Sequence, residues 1–404
     1  MIDFLRETSR RLINTAPVCA HRFLFERFEM KERLTGVIGP RGVGKTTLLL
    51  QYLRERHGAS GEAFYASADH IFFNRCSLLE FVRESHAREG TGYFVFDEIH
   101  KYPNWQQELK NIHDSFPKVR VAFSGSSSMA LQQGGYDLSR RLVMHRLPGL
   151  SFREYLNFVT GASHGTISLE ALLDDPAAAS AEVARIPRLL GYFEEYLMQG
   201  YYPFVLEGVE HFYEKLRDVL EKTIHEDIAG YYSLKTENLV HFKKILAFLA
   251  TTPPGGINIH KLSTNLGIDD KTAAHYVSIL HETGLVRPIQ TPSRGHQVLR
   301  RVGKFYLDNT TFYHALCDGL GQKAEIGTVR ELFFLQSVEN AGQVVGLSSS
   351  GGDFCIGESV FEVGGVNKRR KQLPGRFSSE FVVKDGILAG ARGTIPLHLF
   401  GFLY

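Results

Sequence analysis

The chain has 404 residues, which is too long for one hydrophobic core of ordinary size, so we expect about two to four domains. Hydrophobic residues make up 43% and charged residues 22% of the chain, which is typical of globular proteins and excludes a disordered one. The formal net charge is only +2, so any binding of nucleic acid depends on a local basic patch.

The cysteines and the apolar segments indicate the compartment in which the protein works. Cys19, Cys76, Cys317 and Cys355 lie far apart without a CxxC pair, which favours reduced thiols over disulfides or a metal site. The N-terminal segment has no long apolar run behind its charges, and no stretch approaches 18 uninterrupted apolar residues. We therefore expect a cytoplasmic protein with no secretory signal and no membrane partner.

A glycine-rich stretch carries the clearest chemical signal. Residues 36–49 read GVIGPRGVGKTTLL and contain the pattern GxxxxGK[ST], between a predicted strand at 34–38 and a predicted helix at 46–53. Glycines let backbone N–H groups surround phosphate oxygens, and the helix N-terminus adds partial positive charge. We expect Lys45 to neutralise the β- and γ-phosphate oxygens and the Thr46 hydroxyl to bind Mg²⁺. The predicted nucleotide-binding residues are Gly39, Pro40, Arg41, Gly42, Val43, Gly44, Lys45, Thr46 and Thr47.

A second predicted strand, at residues 93–97, ends in an acid and is followed by another. We expect Asp97 to hold Mg²⁺ through a water molecule and Glu98 to polarise the attacking water as general base. This acidic pair favours hydrolysis of the nucleotide over binding alone. The sequence contains no Asn-Lys-x-Asp guanine motif, so we expect the nucleotide to be ATP.

Two further polar groups are candidates for sensing and completing the site. A predicted strand at 118–123 is followed by serines, and we expect Ser126, or alternatively Ser124, to lie between the acidic strand and the γ-phosphate. Two neighbouring arginines follow, and we expect Arg141, or alternatively Arg140, to act as an arginine finger in the nucleotide site of an adjacent subunit. The finger predicts a homo-oligomer.

Several stretches together resemble the prokaryotic AAA-type ATPases that carry a C-terminal domain of uncharacterised function. They read GVIGPRGVGKTTLLLQYL, YFVFDEIHKYPNWQQELKNIHD, VAFSGSSSMAL and LPGLSFREYL, and the resemblance continues at 363–372 and 395–404. It thus covers nearly the full length. The resemblance implies the phosphate and Mg²⁺ roles for Lys45 and Thr46, and the acidic roles for Asp97 and Glu98.

The segment after the predicted core alternates between helical and loop composition. A helix is predicted at 152–158, loops at 160–166 and 174–180, and helices at 188–198 and 213–228. The resemblance implies that this segment is a helical lid over the nucleotide. Arg185 and Arg188 are candidates for touching phosphate from that lid.

The order of predicted elements at 237–307 is typical of a winged helix-turn-helix. A helix at 242–250, a short helix closed by Gly267, a helix at 271–283 and two strands follow one another. No Asp or Glu occurs between Gly284 and Leu307, which favours phosphate-driven contact with DNA; the alternative is a protein-binding module. The basic residues that we expect to contact nucleic acid are Lys271, Arg287, Arg294, Arg300, Arg301 and Lys304.

The last hundred residues contain the acids of a PD-(D/E)XK nuclease pattern. Glu331 lies on a predicted helix, and Asp353 and Glu362 lie on two predicted strands, but the lysine position of the pattern is Gly364. Lys368 or Lys371 is a candidate replacement at a different spacing. We therefore expect a nuclease-like fold without cleavage.

These patterns predict an α/β protein with a P-loop NTPase core at 1–150, a helical lid at 151–236, a winged helix at 237–307 and a nuclease-like α/β domain at 308–404. The predicted function is Mg²⁺-dependent hydrolysis of ATP, coupled to nucleic-acid binding. One alternative is a nucleotide-dependent switch or scaffold whose C-terminal domain recruits protein partners. Another is an ATP-gated nuclease.

Overall fold

A computed structural model of the chain describes residues 2–18, 20–58, 61–127, 138, 140–232, 234–291, 302–349, 351–369 and 379–404. The chain divides into two compact units, Met1–Gly149 and Leu150–Tyr404. In the described ranges, no helix is both long enough and apolar enough to cross a membrane.

The first unit contains a five-stranded sheet in the order β2-β3-β4-β1-β5, and all of its strand pairs are parallel. The strands are β1 Leu34–Ile38, β2 Ala63–Ser67, β3 Tyr93–Asp97, β4 Arg120–Gly125 and β5 Leu142–Arg146. The helices are α1 Ile2–Thr15, α2 Lys45–Arg56, α3 Leu78–Glu89 and α4 Trp105–Ser115. The predicted α/β class of this part of the chain is confirmed.

The composition of the inner strands explains this sheet. Every residue of β1 is buried, and β3 reads as an almost continuous apolar run, as expected when both faces of a parallel sheet are covered. Gly36 in β1 has no room for a side chain, because a Cβ there would lie 2.3 Å from the Met144 sulfur. The carboxyl ends of β1, β3 and β4 meet at one edge of the sheet, where open α/β sheets bind ligands.

The second unit begins with short helices. They are α5 Phe152–Thr160, α6 Leu169–Asp174, α7 Pro176–Val183, α8 Leu189–Gln199, α9 Phe212–Lys222 and α10 Ala229–Tyr232, with a π-helical turn at Thr223–Ile228 before α10. The predicted loop at 174–180 is wrong, because α7 forms there. Pro176 occupies its first turn, and the Asp175 carboxylate accepts the N–H groups of Ala177 and Ala178.

These helices pack against the C-terminal end of the chain within the second unit. The Ser151 hydroxyl donates to the Tyr404 carbonyl at 2.8 Å, and the rings of Phe152 and Phe402 lie 5.9 Å apart. The Gly390 N–H donates to the Ser180 hydroxyl at 2.9 Å. The segment predicted as a lid is therefore part of the same unit as the C-terminal sheet, and its role over the nucleotide stays a prediction.

The middle of the second unit contains three helices and a two-stranded antiparallel sheet. The elements are α11 Thr236–Thr251, α12 Ile259–Leu266, α13 Asp270–Glu282, β6 Val286–Gln290 and β7 Val302–Leu307. They lie where the sequence predicts them. The connection between β6 and β7, at 292–301, lies outside the described residues.

The C-terminal part of the second unit is a mixed sheet with helices. The elements are α14 Thr310–Gly319, α15 Ile326–Asn340, β8 Gly346–Leu347, β9 Phe354–Ile356, β10 Ser359–Gly364, β11 Glu380–Lys384 and β12 Thr394–Pro396. The sheet order is β12-β11-β10-β9-β8, parallel from β10 to β12 and antiparallel from β8 to β10. Helix α15 packs on β10, and its Phe334 ring lies 5.2 Å from that of Phe361.

Candidate nucleotide-binding site

The glycine-rich loop joins β1 to α2 at the carboxyl edge of the first sheet. Gly42 and Gly44 have φ angles of 80° and 91°, in the left-handed region that favours glycine. A Cβ on Gly39 would lie 2.1 Å from the Leu147 carbonyl oxygen, so no other residue fits there. Helix α2 begins at Lys45, so the N–H groups of its first turn are available to an anion at the loop.

Lys45 is directed toward this loop. Its side chain is buried, and its ammonium donates to the carbonyl oxygens of Gly39 at 2.9 Å and Pro40 at 2.8 Å. An ammonium group has three donors and no acceptor, so a phosphate oxygen competes directly with these carbonyls. The geometry fits the expected role of Lys45 as the cation of the phosphate site.

The Asp97 carboxylate is the centre of a hydrogen-bond network at the end of β3. Its Oδ2 accepts the Thr46 hydroxyl at 2.7 Å and the Tyr65 hydroxyl at 2.8 Å. Its Oδ1 accepts the hydroxyl of Ser124. The network joins residues of α2, β2, β3 and β4, and it brings Thr46 and Asp97, the two expected Mg²⁺ residues, into direct contact. Oxygen donors of this kind suit Mg²⁺.

Tyr65 is a member of this network that no sequence pattern predicts. Burial, followed by the charge of Asp97 and the hydrogen bond to it, raises the pKa of Tyr65 well above its ordinary range, so the phenol stays a donor. Strand β2 lies beside β3 in the sheet, with Ser67 opposite Asp97. The sequence shows a strand at this position but does not show which strand is its neighbour.

The serine that contacts the acidic pair is Ser124, whereas the first prediction from the sequence is Ser126. The Ser124 hydroxyl contacts Asp97 and also accepts the backbone N–H of Glu98 at 2.9 Å. Ser126 is buried two residues further along. Ser124, the alternative prediction, therefore lies against the end of β3, because β4 is the neighbour of that strand. The role of either serine toward the γ-phosphate stays a prediction.

Glu98 lies immediately after β3 in an uncommon backbone conformation, with φ 53°. Its Oε2 lies 3.5 Å from the Lys101 ammonium and 3.7 Å from Nε2 of His100. Lys101 also contacts Asp69 at 3.1 Å. Burial opposes the charge of Lys101, but the hydrogen bond to Asp69 and the charges of Glu98 and Asp69 raise its pKa overall.

The expected arginine finger has a partner in its own unit. Nε of Arg141 lies 3.3 Å from the Asp114 carboxylate, and Arg140 is exposed. The finger requires a second subunit, so it stays a prediction.

The expected nucleic-acid residues are only partly brought together. Arg287 is wrong as a phosphate contact: it is buried, 2.9 Å from Asp308 and 2.5 Å from Glu339. Burial opposes its charge, but these two carboxylates raise the pKa of Arg287. Lys304 is turned inward, 3.4 Å from Glu331.

The other expected nucleic-acid residues lie at the surface or in the undescribed connection. Lys271 is exposed at the start of α13 and directly follows the exposed acids Asp269 and Asp270 in the sequence. One lysine next to two carboxylates attracts phosphate only weakly. The remaining candidates, Arg294, Arg300 and Arg301, fall outside the described residues.

Family comparisons agree with the geometry of the first unit. The family model of an AAA domain matches residues 31–156, and a second model, a domain of unknown function (DUF8612), matches residues 190–325. The second match runs across the predicted boundary between lid and winged helix. No curated protein matches the chain. Residues 31–156 are therefore similar to an AAA domain, and the parallel sheet and phosphate loop of the first unit agree with a P-loop nucleotide-binding fold. Neither family model names a winged helix or a nuclease.

Several solved structures are similar to this chain at low TM-score and low identity. AMPPCP-bound DnaA from Aquifex aeolicus has a TM-score of 0.27 and 16% identity, covering 64% of this chain and 84% of that chain. A DNA replication initiation factor has a TM-score of 0.25 and 16% identity, covering 64% and 85%. The S. cerevisiae Hsp104–ADP complex has a TM-score of 0.29 and 14% identity, covering 70% and 38%. These values are too low to support a shared function.

Proposed function

We propose that the chain binds ATP together with Mg²⁺ and hydrolyses it. The observation that carries this proposal is the Asp97 network, in which one buried carboxylate contacts the first hydroxyl of the helix that follows the phosphate loop. These two groups would hold the Mg²⁺ of a bound nucleotide. The second acid, Glu98, supports hydrolysis over binding alone.

The chain's own residues supply positioning and charge. The amides of the loop and of the start of α2 bind phosphate oxygens, and Lys45 exchanges its contacts with Gly39 and Pro40 for contacts with phosphate. Thr46 and Asp97 would hold Mg²⁺, which would neutralise negative charge on the phosphate oxygens.

Glu98 accepts a proton from the attacking water. The water oxygen then bonds to the γ-phosphorus as the bond to ADP breaks. Lys101 orients the Glu98 carboxylate through the contact at 3.5 Å.

The test is ATP affinity and ATP turnover of the full chain, compared with Lys45→Ala. Loss of the charge-assisted bonds to phosphate, each contributing about 1.5–3 kcal/mol, should weaken ATP binding about a hundredfold or more. Lys31→Ala, at an exposed lysine, is the matched control and should bind ATP normally. Equal ATP affinity and turnover in the two variants would contradict the proposal.

We further propose that nucleotide state is coupled to nucleic-acid binding through the segment from α11 to β7. Its support is the order of three helices and a two-stranded sheet, which is that of a winged helix, and the basic composition of the connection at 292–301. A change from bound ATP to bound ADP would alter how the basic residues of the connection at 292–301 contact the phosphates of a nucleic acid.

Coupling is tested by the ATPase rate with and without duplex DNA at low and moderate salt. Stimulation that fades as salt rises supports phosphate contact, because counterion release makes such binding salt-dependent. A triple Ala variant of Arg294, Arg300 and Arg301 should lose the stimulation but keep the basal rate. A rate unchanged by DNA would favour the alternative, a nucleotide-dependent scaffold for protein partners.

A further inference from the structure

A buried arginine outside the glycine-rich pattern contacts the glycine-rich loop. Arg22 lies between α1 and β1 and is 4% exposed. One of its terminal nitrogens, Nη1, donates to the carbonyl of Val43 in the loop. The other, Nη2, donates to the carbonyls of Pro148 at 2.8 Å and Gly149 at 2.9 Å, at the end of the first unit. One guanidinium group therefore joins the loop to the segment that follows β5.

The segment that carries Arg22 is itself held by α2. The Gln51 side chain of that helix donates to the carbonyls of Pro17 at 2.8 Å and Ala20 at 3.0 Å. Helix α2 begins where the glycine-rich loop ends, at Lys45. The helix and the arginine therefore hold the loop from both of its neighbouring segments in the nucleotide-free protein.

The segment that follows β5 also packs directly on the loop. The Leu147 N–H donates to the Ile38 carbonyl at 2.8 Å. A Cβ on Gly39 would lie 2.1 Å from the Leu147 carbonyl oxygen and 3.5 Å from the Val43 side chain. This side of the loop is therefore filled by protein, and a phosphate group must approach from the other side.

The carbonyl that Arg22 holds belongs to the same peptide group as the N–H of Gly44. In a planar trans peptide, the C=O and N–H groups point in opposite directions. A Val43 carbonyl that points at Arg22 therefore directs the Gly44 N–H away from it, toward the side that is open to phosphate. A positively charged donor on the carbonyl also polarises the peptide group, which makes its N–H a stronger donor.

Gly44 requires such a restraint because its backbone rotates easily. Its φ is 91° and its ψ is 24°, and glycine adopts positive and negative φ about equally well. Rotation of the peptide group between residues 43 and 44 would replace the N–H by a carbonyl oxygen, which repels an anion. The bond from Arg22 opposes this rotation. The planar fork of guanidinium donors lets one side chain hold two segments at once, which the single nitrogen of a lysine cannot do.

We propose that Arg22 is a positioning residue of the nucleotide site, which orients the Gly44 N–H toward the phosphates without contacting the nucleotide. This inference rests on the proposed binding of ATP at the loop. It adds a residue from the segment before β1 to the phosphate site, where the sequence pattern includes only the loop itself.

The experiment compares the full chain with Arg22→Gln and Arg22→Lys by calorimetric titration with ATP and with inorganic tripolyphosphate. Both variants should bind both ligands about tenfold or more weakly, since one oriented bond to a charged group is lost. Tripolyphosphate has neither base nor sugar, so a loss limited to ATP would overturn the proposal. Parent-like affinity in Arg22→Lys would also overturn it, because charge alone would then suffice. Arg22→Lys remains as the test variant should Arg22→Gln fold poorly.

Arg6→Lys is the matched control at a second buried arginine of the first unit. Arg6 contacts the Glu89 carboxylate and the Thr91 hydroxyl, each at 2.9 Å, near the amino ends of β2 and β3 and thus at the sheet edge opposite the loop. This variant should unfold at a lower temperature but keep the rise in unfolding temperature that ATP causes. Arg22→Lys should lose most of that rise. Equal rises in the two variants would show that Arg22 is only structural.

Lys45→Ala separates this proposal from that of ATP binding. If the parent binds ATP, Lys45→Ala does not and the Arg22 variants bind as the parent does, only the positioning role is overturned. If the parent binds neither ATP nor tripolyphosphate, both proposals are overturned. At saturating ATP, Arg22→Lys should turn over nearly as fast as the parent while its KM rises, because the lost bond serves ground state and transition state alike. A lower kcat with unchanged KM would contradict this.

Discussion

The nucleotide site and the C-terminal sheet each bury a carboxylate, Asp97 in the first and Glu362 in the second, but the two carboxylates have different hydrogen-bond donors. Asp97 accepts hydroxyl groups from Thr46, Tyr65 and Ser124, which provide hydrogen bonds without cancelling its charge. Glu362 accepts an ammonium, which cancels it. A carboxylate held by neutral donors keeps its negative charge uncompensated, whereas one held by lysine is part of a neutral ion pair. The first arrangement suits an acid that binds a cation, and the second suits an acid that stabilises the fold.

The largest expected effect concerns the residue next to Asp97. Glu98→Gln should lower ATP turnover by about 10²- to 10⁴-fold while leaving ATP binding intact, because the variant lacks only the general base. Single-turnover hydrolysis and nucleotide retention on the protein measure the two quantities. Glu362→Gln makes the same chemical change at a buried acid of the second unit and should leave ATP turnover unchanged. Normal turnover by Glu98→Gln would show that the base is misassigned.

The second unit also buries histidines, which predicts a difference in acid stability. Burial lowers the pKa of His314 to about 4 and that of His398 to about 3, whereas an unfolded histidine titrates near pH 6.5. Below pH 6.5 the unfolded state therefore binds protons that the folded state does not. The free energy of unfolding should fall by about 1.4 kcal/mol per pH unit for each histidine, down to their folded pKa values.

Two probes distinguish the units in that experiment. Trp105 is the one tryptophan of the sequence and lies in the first unit, so its fluorescence follows that unit, while circular dichroism follows both. When urea unfolding is measured at pH 7.5 and pH 5, the decrease in the free energy of unfolding should be larger by circular dichroism than by tryptophan fluorescence. His398→Leu should reduce the loss, and the exposed His211→Leu should not. An equal decrease in the free energy of unfolding by both probes would show that groups other than these histidines cause the acid sensitivity.

The smallest expected effect distinguishes two serines. Ser124→Ala removes a hydrogen bond to a charged acceptor, a contribution of about 1.5–3 kcal/mol, and should lower turnover by about ten- to a hundredfold. Ser126→Ala should change turnover by no more than about twofold, since Ser124 makes the contacts to Asp97 and Glu98. Steady-state rates of the two variants, at equal ATP occupancy, measure this. The opposite order would restore Ser126 as the sensing residue.

The local chain alone determined the phosphate loop and its acidic partner. Residues 39–46 are contiguous, and their glycines, lysine and threonine act through backbone geometry that a short segment sets by itself. The same holds for helices α12 and α13, whose apolar spacing and N-terminal caps, Asn258 and Asp269, are local. The loop predicted at 174–180 was wrong because a capping aspartate and a proline start a helix where single residues suggest a break.

Which distant groups meet depends on the tertiary structure. Tyr65 and Ser124 join Asp97 because β2 and β4 are the neighbours of β3, and strand order is not readable from any one strand. Arg287 is basic in sequence but is neutralised by Asp308 and Glu339, which lie 21 and 52 residues away. Lys368 fills the place of residue 364 because a turn folds it back over a glycine. Charge and chemistry are properties of the residue, but burial and partners are properties of the fold.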